Sequence, residues 1–571
     1  MYVAFLGWVV VAGVLVAGWR LINKHVWWRV AALGVVLGFS LVHQRLFGTV
    51  AEDAFISFRY SVNLAEGNGL VFNAGERVEG YSNFLWVVLV AVPHWLFGTG
   101  TVVGAVVLGV LCTLGCVVLA YFLTNRIVRP VRAAAGREPA PALGVAAALL
   151  TGAASGLAAY GPSGLETPLF LLLVLGCCYA LTARRHLVAG VLVALATMTR
   201  PDGLVVVAIA GIWLLSRVRQ GGPGWRGVGG FVFGALLLAV PWTVWRLAYY
   251  GYLMPNALAA KAGGSLAWQL EEGWAYVAGF GLAHQGFALL AAAGLAAICY
   301  PRPGGSPESA HARSVVWLLF ILALGYLVFI LFTGGDWMPA WRMLAPVPPL
   351  LAVASVAAYG VVTSAPAADR LRLPARRMTA AVAVGLSGLS LFVSVMSPAM
   401  ADEMHDWRTK IAGMQEIGSW LGERLPPGSV LSTYANGALS YRAGTRVSVV
   451  DVLGLTDEHI ARKGKRDETA GPVGHIVTDF DYVVNERRPT VAVTTGSGYL
   501  PSQECAVPNV YADDYGVATF RRNGTSGWVP VYPRQDQYAA VVAALDADPR
   551  FTFVPCPPAG SGGHDQGLAR K

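Results

Sequence analysis

The chain has 571 residues, of which 55% are hydrophobic and 13% charged, and its mean hydropathy is +0.54. Soluble domains carry about 25% charged residues, so this composition excludes an ordinary soluble protein. Residues 1–399 contain 25 Lys and Arg against 13 Asp and Glu, whereas residues 400–571 contain 17 against 20. The net charge of +9 therefore belongs to the hydrophobic part, as in membrane proteins with basic cytoplasmic loops. It gives no indication of nucleic-acid binding.

Apolar runs along residues 1–399 predict about twelve membrane spans. The first run is interpreted as a retained span, because another run follows it and no cleavage signal separates them. The run Asn83 to Phe97 is short and contains Pro93 and His94, so we expect it to form a juxtamembrane helix on the outer surface of the membrane. The predicted spans are about 2–19, 28–45, 102–124, 143–160, 167–183, 187–199, 203–216, 229–248, 286–300, 315–333, 346–364 and 378–397.

The distribution of charge between alternate loops predicts the orientation. Of the 25 bases in residues 1–399, 18 fall in one set of loops, together with only three acids, Glu138, Glu308 and Asp369. Positively charged loops stay in the cytoplasm. The sequence therefore predicts a multi-pass plasma-membrane protein, with both termini and the acidic loops outside.

Residues 400–558 differ in composition from the preceding part and predict a soluble α/β domain outside the membrane. Strand-like runs at Val447–Val452 and Thr490–Thr495 alternate with helix-like runs at Asp406–Arg424 and Gln537–Asp546. Residues 559–571 are expected to be a disordered tail. Cys505 and Cys556 are the two cysteines of this domain, and an oxidising compartment permits a disulfide between them. Two buried thiols are the alternative.

Two adjacent carboxylates, Glu52 and Asp53, open the first outer loop, residues 46–101. Such a pair can deprotonate an acceptor hydroxyl, or it can hold a cation that neutralises a phosphate leaving group. The structural alternative is a helix N-terminus, where acids favour the macrodipole. The pair is predicted to be catalytic.

The same loop continues with a dense run of Gly, Asn and acidic residues between Gly67 and Trp86. Glycines permit tight turns, so this run predicts an ordered loop over a membrane cavity that can line a sugar site. An inert connector is the alternative. The candidate donor- or acceptor-binding residues here are Arg59, Asn73, Glu76, Glu79, Tyr81 and Asn83.

Other ionisable residues converge on the same outer face according to the predicted topology. Ionisable residues at membrane depth are costly and are therefore candidates for function. Lys261 and Arg342 are cations that can bind a lipid phosphate, and Glu166 is a further candidate catalytic acid. Interfacial snorkelling or a structural ion pair is the alternative for each residue. The remaining candidate binding residues are Arg200, Asp202, Asn256, Asp336 and Trp337.

These motifs resemble those of the GT-C glycosyltransferases, which are multispanning enzymes that use polyprenyl-phosphate sugars. Within that class the chain most resembles the terminal β-(1→2) arabinofuranosyltransferases of the mycobacterial cell wall, which favour Asp-Asp where this chain has Glu52-Asp53. The segments that carry the resemblance are Asp53–Tyr60 (DAFISFRY), Gly69–Trp86, Gly164–Pro168 (GLETP), Gly335–Trp337 (GDW) and Val450–Asp457 (VDVLGLTD).

The resemblance implies a GT-C-like helical membrane domain, residues 1–399, followed by the extracytoplasmic α/β domain. It also implies decaprenyl-phosphoryl arabinose as donor and an actinobacterial arabinan, in arabinogalactan or lipoarabinomannan, as polysaccharide acceptor. In the expected mechanism Lys261 and Arg342 hold the lipid phosphate, and Asp53 orients or deprotonates the acceptor with help from Glu52 and Glu166. No cofactor is expected other than, as an alternative, a divalent cation.

Two other classes remain open from the sequence. A different GT-C enzyme that uses polyprenyl-phosphate sugars has the same features. A transporter, or a non-catalytic envelope or motility factor on the same scaffold, also places ionisable groups in its spans. A transporter should show paired broken helices in two related halves, and no such repeat is evident in the sequence.

Overall fold

The computed structural model describes residues 2–98, 100–218, 224–299, 306–364, scattered positions from 385 to 396, and residues 398–468, 475–496 and 498–557. Up to residue 364 the described chain is helical. Its helices are α1 Tyr2–Ala17, α2 Trp19–Lys24, α3 Val26–Phe47, α4 Ala54–Ala65, α5 Phe84–Phe97, α6 Thr101–Ala134, α7 Ala142–Gly152, α8 Ser155–Tyr160, α9 Thr167–Thr182, α10 His186–Thr199, α11 Gly203–Val218, α12 Gly224–Tyr250, α13 Asn256–Lys261, α14 Leu266–Ala283, α15 Gln285–Cys299, α16 Pro307–Thr333 and α17 Val347–Ser364.

Five helical segments within the described ranges are long and apolar enough to cross a membrane. Shorter apolar helices of 10–17 residues pack between them, so several predicted spans are shorter than a full bilayer crossing. Helices satisfy every backbone polar group internally, which suits an apolar solvent. The five long segments are Val26–Phe47, Thr101–Ala134, Gly224–Tyr250, Pro307–Thr333 and Pro339–Ser364.

The structure differs from the predicted spans in three places. Helix α14 was not predicted, because Glu271 and Glu272 interrupt its hydropathy; it joins α15 at an 86° bend. The predicted span 143–160 is two helices, because Ala154 is extended (φ −70°, ψ 103°) and begins a new helix. The predicted span 378–397 lies almost wholly outside the described residues, as does the predicted tail 559–571.

The C-terminal part is a mixed α/β domain. Its six-stranded sheet has the order β2-β1-β5-β7-β6-β8, in which β1 is parallel to β2 and β5 and the other pairs are antiparallel. Strands β3 and β4 form a separate antiparallel pair. The strands are β1 Val430–Thr433, β2 Ser448–Asp451, β3 Lys465–Arg466, β4 Val477–Thr478, β5 Val491–Val493, β6 Ala518–Arg522, β7 Trp528–Pro533 and β8 Phe551–Val554. The helices are α18 Pro398–Arg424, α19 Ala438–Ala443, α20 Glu458–Lys463, α21 Phe480–Tyr482 and α22 Tyr538–Asp546.

An aromatic core holds this domain together. Trp420 of the long helix α18 is fully buried, and its ring stacks on Phe551 of β8 with centroids 4.2 Å apart. The indole of Trp420 donates a hydrogen bond to the Leu545 carbonyl, which leaves no buried donor unpaired there. Cys505 and Cys556 are joined by a disulfide, with Cα atoms 5.7 Å apart.

The α/β domain packs directly on the first outer loop, and two glycines make this close approach possible. A Cβ at Gly437 would collide with the backbone and carboxylate of Glu52, and one at Gly80 would lie 2.5 Å from Thr456. Real side chains essentially never approach so closely, so both positions require glycine. The loop and the domain therefore form one continuous surface above the membrane helices.

Candidate functional site

Asp53 lies at the start of α4, but its side chain does not cap that helix. Within the described residues its carboxylate accepts no hydrogen bond, which separates it from the helix-capping alternative. Its charge acts on the cations Lys261 and Arg342, on the neighbouring Glu52 and on the Tyr160 hydroxyl. An uncapped carboxylate in the field of two cations is available to a hydroxyl group of a ligand.

Lys261 ends the short helix α13 and is half-buried. Burial lowers the pKa of its ammonium group, while the carboxylates of Asp53, Asp336 and Asp451 act in the opposite direction. Across the described ranges this ammonium has no ion-pair or hydrogen-bond partner within contact distance. A cation held near acids without a direct partner is suited to an anionic ligand.

Arg342 is fixed on one side and free on the other. Its Nε donates to Asp336 Oδ2 at 2.8 Å, and Asp336 Oδ1 accepts from the Tyr276 hydroxyl at 2.9 Å. In the described chain, its two terminal nitrogens have no protein hydrogen-bond partner. The ion pair that was the structural alternative therefore exists, and it leaves the two-pronged end of the guanidinium available to a phosphate.

The backbone before Arg342 is strained. Ala340 and Trp341 both adopt left-handed conformations, with φ of 61° and 49°. Non-glycine residues rarely adopt this conformation, which costs about 1–3 kcal/mol each and is found at functional sites. Tyr160 fixes the same turn by donating to the Pro339 carbonyl at 2.5 Å. The strained turn determines the direction in which Arg342 leaves the backbone.

Glu166 is held inside a buried polar cluster next to this turn. Its Oε2 accepts from the Asn83 amide at 2.9 Å, and its Oε1 lies 3.4 Å from Arg200. Arg200 in turn pairs with Asp202 at 2.9 Å. Because its oxygens are already engaged, Glu166 is placed to orient Asn83 and Arg200 rather than to accept a proton. Its field also acts on Arg342.

Glu52 does not point to the same place as Asp53. Its Oε1 accepts hydrogen bonds from the backbone N–H groups of Gly437 at 2.6 Å and Ala438 at 3.1 Å. Burial raises the pKa of Glu52 to about 8, and the neighbouring charges of Asp53 and Asp451 add to this shift. Glu52 thus ties the loop to the α/β domain, which replaces the predicted role beside Asp53.

Arg59 also has a structural position instead of the predicted ligand-binding one. Its five donors are all used: by the carbonyls of Phe72, Ser440, Gly444 and Val447, and by Asn73. Its side chain is buried, so no donor remains for a sugar. Arg59 therefore joins α4 to the α/β domain through its hydrogen bonds.

Other loop residues predicted to bind ligand take part in the same contact with the α/β domain. Asn73 pairs with both the N–H and the C=O of Val449, and so covers the edge strand β2. Glu76 pairs with Arg487 at 2.9 Å. The Asn256 amide donates to the carbonyls of Gly454, Leu455 and Asp457. These contacts order the loop around the site.

Glu79, Tyr81 and Trp337 lie at the margins of the site. Glu79 is buried and pairs with Arg246 at 2.7 Å, although burial still raises its pKa to about 7. The Tyr81 hydroxyl lies 3.0 Å from that of Tyr250. Trp337 packs against Trp407 of α18, with ring centroids 5.3 Å apart. Glu79 and Tyr81 are engaged by protein partners, whereas the buried indole N–H of Trp337 has no hydrogen-bond partner among the described residues.

Three residues of the site were not among the sequence candidates. Tyr160 and Tyr276 are tyrosines in apolar helices, where sequence gives no sign of their hydrogen bonds to the turn at 336–343. Asp451, at the end of β2, acts electrostatically on both Glu52 and Lys261. Burial raises the pKa of Asp451 to about 6. Asp451 lies in the quoted VDVLGLTD segment, which was the available signal.

The arrangement combines one available acid with two available cations. Asp53 can accept a proton, while Lys261 and the free end of Arg342 can bind an anion nearby. No group of three His, Cys, Asp or Glu side chains that could hold a metal ion occurs among the described residues. Since Glu52 Oε1 is taken by backbone N–H groups, the Glu52-Asp53 pair is poorly arranged to chelate a cation.

Comparison with known proteins gives two sequence relatives. The chain is 28% identical over 358 residues to the terminal β-(1→2)-arabinofuranosyltransferase of Corynebacterium glutamicum, covering 55% of this chain and 48% of that protein. It is 27% identical over 416 residues to the protein of the same name from Mycobacterium tuberculosis, covering 67% and 64%. The chain thus spans less than two thirds of the length of these curated relatives. A family model described as a domain of unknown function (DUF8728) matches residues 402–539.

The architecture matches that of ArnT from Cupriavidus metallidurans. The apo structure superposes with a TM-score of 0.54 at 16% identity, covering 90% of this chain and 99% of ArnT. The structure with undecaprenyl phosphate gives 0.51 at 16%, covering 90% and 98%. The chain has the GT-C fold. The predicted fold class and the predicted resemblance are thereby confirmed, as is a multi-pass membrane protein.

Proposed function

We propose that this GT-C protein is an arabinofuranosyltransferase that uses decaprenyl-phosphoryl arabinose as donor. The acceptor is the arabinan of arabinogalactan or lipoarabinomannan, and the product is a terminal β-(1→2) linkage. The observation that carries the proposal is the uncapped Asp53 carboxylate beside the unpaired Lys261 ammonium and the free end of Arg342. The names of the two relatives and the undecaprenyl phosphate of the ArnT structure support the choice of substrates.

The chemistry is transfer of a glycosyl group from phosphate to a hydroxyl. The bond between the anomeric carbon and the phosphate oxygen breaks, and its electrons leave with the lipid phosphate. The acceptor oxygen forms the new bond to the anomeric carbon, and its proton passes to the Asp53 carboxylate. Lys261 and Arg342 offset the growing negative charge of the leaving phosphate, which is the largest expected contribution.

Glu166, Asn83 and Arg200 act as positioning residues in this mechanism. Their buried hydrogen bonds hold these three side chains in place and engage both oxygens of Glu166. Charges held in place before the reaction need no reorganisation when the leaving phosphate develops its charge. A divalent cation, if the reaction uses one, would have to bind through Asp53 and the donor phosphate rather than through a ready-made protein cluster.

Transfer of labelled arabinose tests the proposal. Purified protein in nanodiscs is given radiolabelled decaprenyl-phosphoryl arabinose and a synthetic oligo-arabinoside, and the product linkage is read by methylation analysis. We expect a single added β-(1→2)-linked arabinofuranose. Faster transfer from another polyprenyl-phosphate sugar would favour a different GT-C enzyme. Absence of transfer from every donor would favour a non-catalytic envelope or motility factor or a transporter.

The sidedness is also part of the proposal: the α/β domain and the Asp53 face lie outside the cell membrane. Basic loops such as Arg184–Arg185 support this orientation. Single cysteines introduced at Arg185 and at exposed Lys465, in a variant whose native free cysteines are replaced, are treated with an impermeant thiol reagent on intact cells. We expect labelling at position 465 only. Labelling at position 185 instead would invert the orientation.

A further inference from the structure

A cleft of about 320 Å³, open to solvent, lies between the first outer loop and the α/β domain. Its lining includes Glu76 and Val78 of the loop, together with Tyr252, His459 and Tyr482. The volume falls within the usual range of ligand pockets, about 300–1,000 Å³. Asp53, Lys261 and Arg342 do not line it, so it is distinct from the candidate active site.

The aromatic rings of the cleft are held in place by their neighbours. Tyr482 stacks on His459, with ring centroids 3.9 Å apart and planes 6° from parallel. The guanidinium of Arg462 lies 3.5 Å from the ring centroid of Tyr252, which remains 37% exposed. Rings fixed in this way bind the apolar faces of a ligand with little loss of side-chain entropy.

The charges of the cleft balance. Three acids and three bases line it, and Arg487 lies between two of the acids, 2.9 Å from Glu76 and 3.7 Å from Asp457. The Tyr252 hydroxyl donates to Glu458 at 2.8 Å. Because these charges are largely compensated, the cleft favours a neutral, hydroxyl-rich ligand over a phosphate, a polyanion or a cation.

One buried donor at the cleft is unpaired. Arg462 Nε is shielded from solvent and has no hydrogen-bond partner in the part of the chain that the structure describes. Nη2 of the same side chain donates to the Met254 carbonyl at 3.2 Å, so the guanidinium itself is anchored. A buried donor without a partner lowers the stability of the fold unless a ligand oxygen reaches it.

We propose that this cleft binds a neutral oligosaccharide, the stem of the acceptor glycan. The segment 451–457 links the cleft to the candidate active site, since Asp457 lines the cleft and Asp451 acts on Lys261. A glycan chain held on Tyr252 and Tyr482 would thus lie next to the site in which its end reacts. Binding of a neutral glycan stands by itself, whereas its identity as an acceptor arabinan rests on the proposed function.

Binding is measured on the full-length protein in nanodiscs by saturation-transfer NMR and titration. The probes are a neutral arabinofuranose hexasaccharide, the corresponding disaccharide, and an oligogalacturonate of six residues as an anionic counterpart. We expect the hexasaccharide to bind most tightly. Tyr482→Ala and Tyr252→Ala should each weaken it by up to about tenfold, the size of one ring contact. Tyr482→Phe keeps the ring and should bind within about twofold of the wild type, because the ring face supplies the contact.

The controls separate this proposal from the proposed function. Lys465→Ala, at an exposed position outside the cleft lining, should leave binding unchanged. If the wild type binds it through both tyrosines but transfers no sugar, the cleft stands and the proposed function fails. If sugar is transferred but folded Tyr252→Ala and Tyr482→Ala bind normally, or the anionic probe binds more tightly, the cleft proposal is overturned.

Discussion

Two regions of the molecule use charged residues in opposite ways. Where the first outer loop meets the α/β domain, charged and amide side chains are fully engaged: Arg59 uses five donors, and Asn73 pairs with both backbone groups of Val449. At the membrane face, Asp53 and Lys261 have no direct partner in the described chain, and Arg342 uses only its Nε.

The difference shows how to separate structural from chemical roles within one motif. A buried charge whose hydrogen-bonding capacity is used up stabilises the fold and has nothing left for a ligand. A charge that is held near others without direct contact keeps its capacity for substrate. Substitutions in the two regions should therefore separate stability from activity.

The largest effect is expected for Arg59→Ala at the interface. The substitution leaves four buried carbonyls without their charged donor, so we expect a loss of about 3–5 kcal/mol of stability. Thermal unfolding of the detergent-solubilised protein measures it. The matched control is Arg77→Ala in the same loop, whose exposed side chain lies over the Tyr249 ring and should matter little. Equal melting temperatures for the two variants would contradict the role of Arg59 in stabilising the contact between α4 and the α/β domain.

Asp53→Asn should lower the transfer activity without lowering the stability. It keeps the shape of the side chain but removes its basicity, so we expect transfer activity to fall by about 10²-fold or more, the scale of general-base catalysis. The melting temperature should stay the same, because no cap hydrogen bond is lost. Asp481→Asn, at an exposed position, is the matched control. Normal transfer by Asp53→Asn would remove Asp53 from the mechanism.

Arg342→Ala tests a residue that uses only its Nε within the protein, and so lies between the fully engaged Arg59 and the unpartnered Asp53. Loss of a charge-assisted contact to the donor phosphate should cost about 1.5–3 kcal/mol of donor binding. Arg342→Lys should restore only part of it, because a point charge replaces a planar fork. Donor affinity and melting temperature are measured together.

The ion pair with Asp336 supplies the control for this experiment. Asp336→Asn weakens the ion pair but leaves the terminal nitrogens of Arg342 available, so it should lower stability more than donor affinity. Unchanged donor affinity in a folded Arg342→Ala protein would show that the residue only braces its turn.

The sequence predicted a multi-pass helical membrane part because hydropathy is a local signal, but it missed α14 and the break at Ala154. It also located the acids and bases that the structure brings to one face, such as Asp53, Lys261 and Arg342. It did not predict the partners of Arg59, since three of the four carbonyls that it binds lie 381–388 residues away along the chain. For the same reason Glu52 was grouped with Asp53, although backbone N–H groups of the α/β domain hold it.

The smallest effect concerns the pH dependence of the bond between Glu52 and the α/β domain. Burial and the charges of Asp53 and Asp451 raise its pKa from an ordinary 4.5 to about 8, against the N–H groups of Gly437 and Ala438. Between these values the folded protein keeps a proton that the unfolded chain has released, so stability falls as pH rises from 4.5 to 8.

Glu52→Gln cannot ionise and should lack this fall. We expect the melting temperatures of wild type and variant to converge at low pH and the wild type to lose a few degrees more by pH ~8.5, since a shift of this size corresponds to a few kcal/mol and each kcal/mol moves Tm by ~2–4 °C or less in a chain of this length. Glu486→Gln, at an exposed position, should follow the wild type. Parallel melting curves of wild type and Glu52→Gln across this range would mean that Glu52 is charged in the folded protein, and that its contact with Gly437 and Ala438 is an ordinary carboxylate–amide bond.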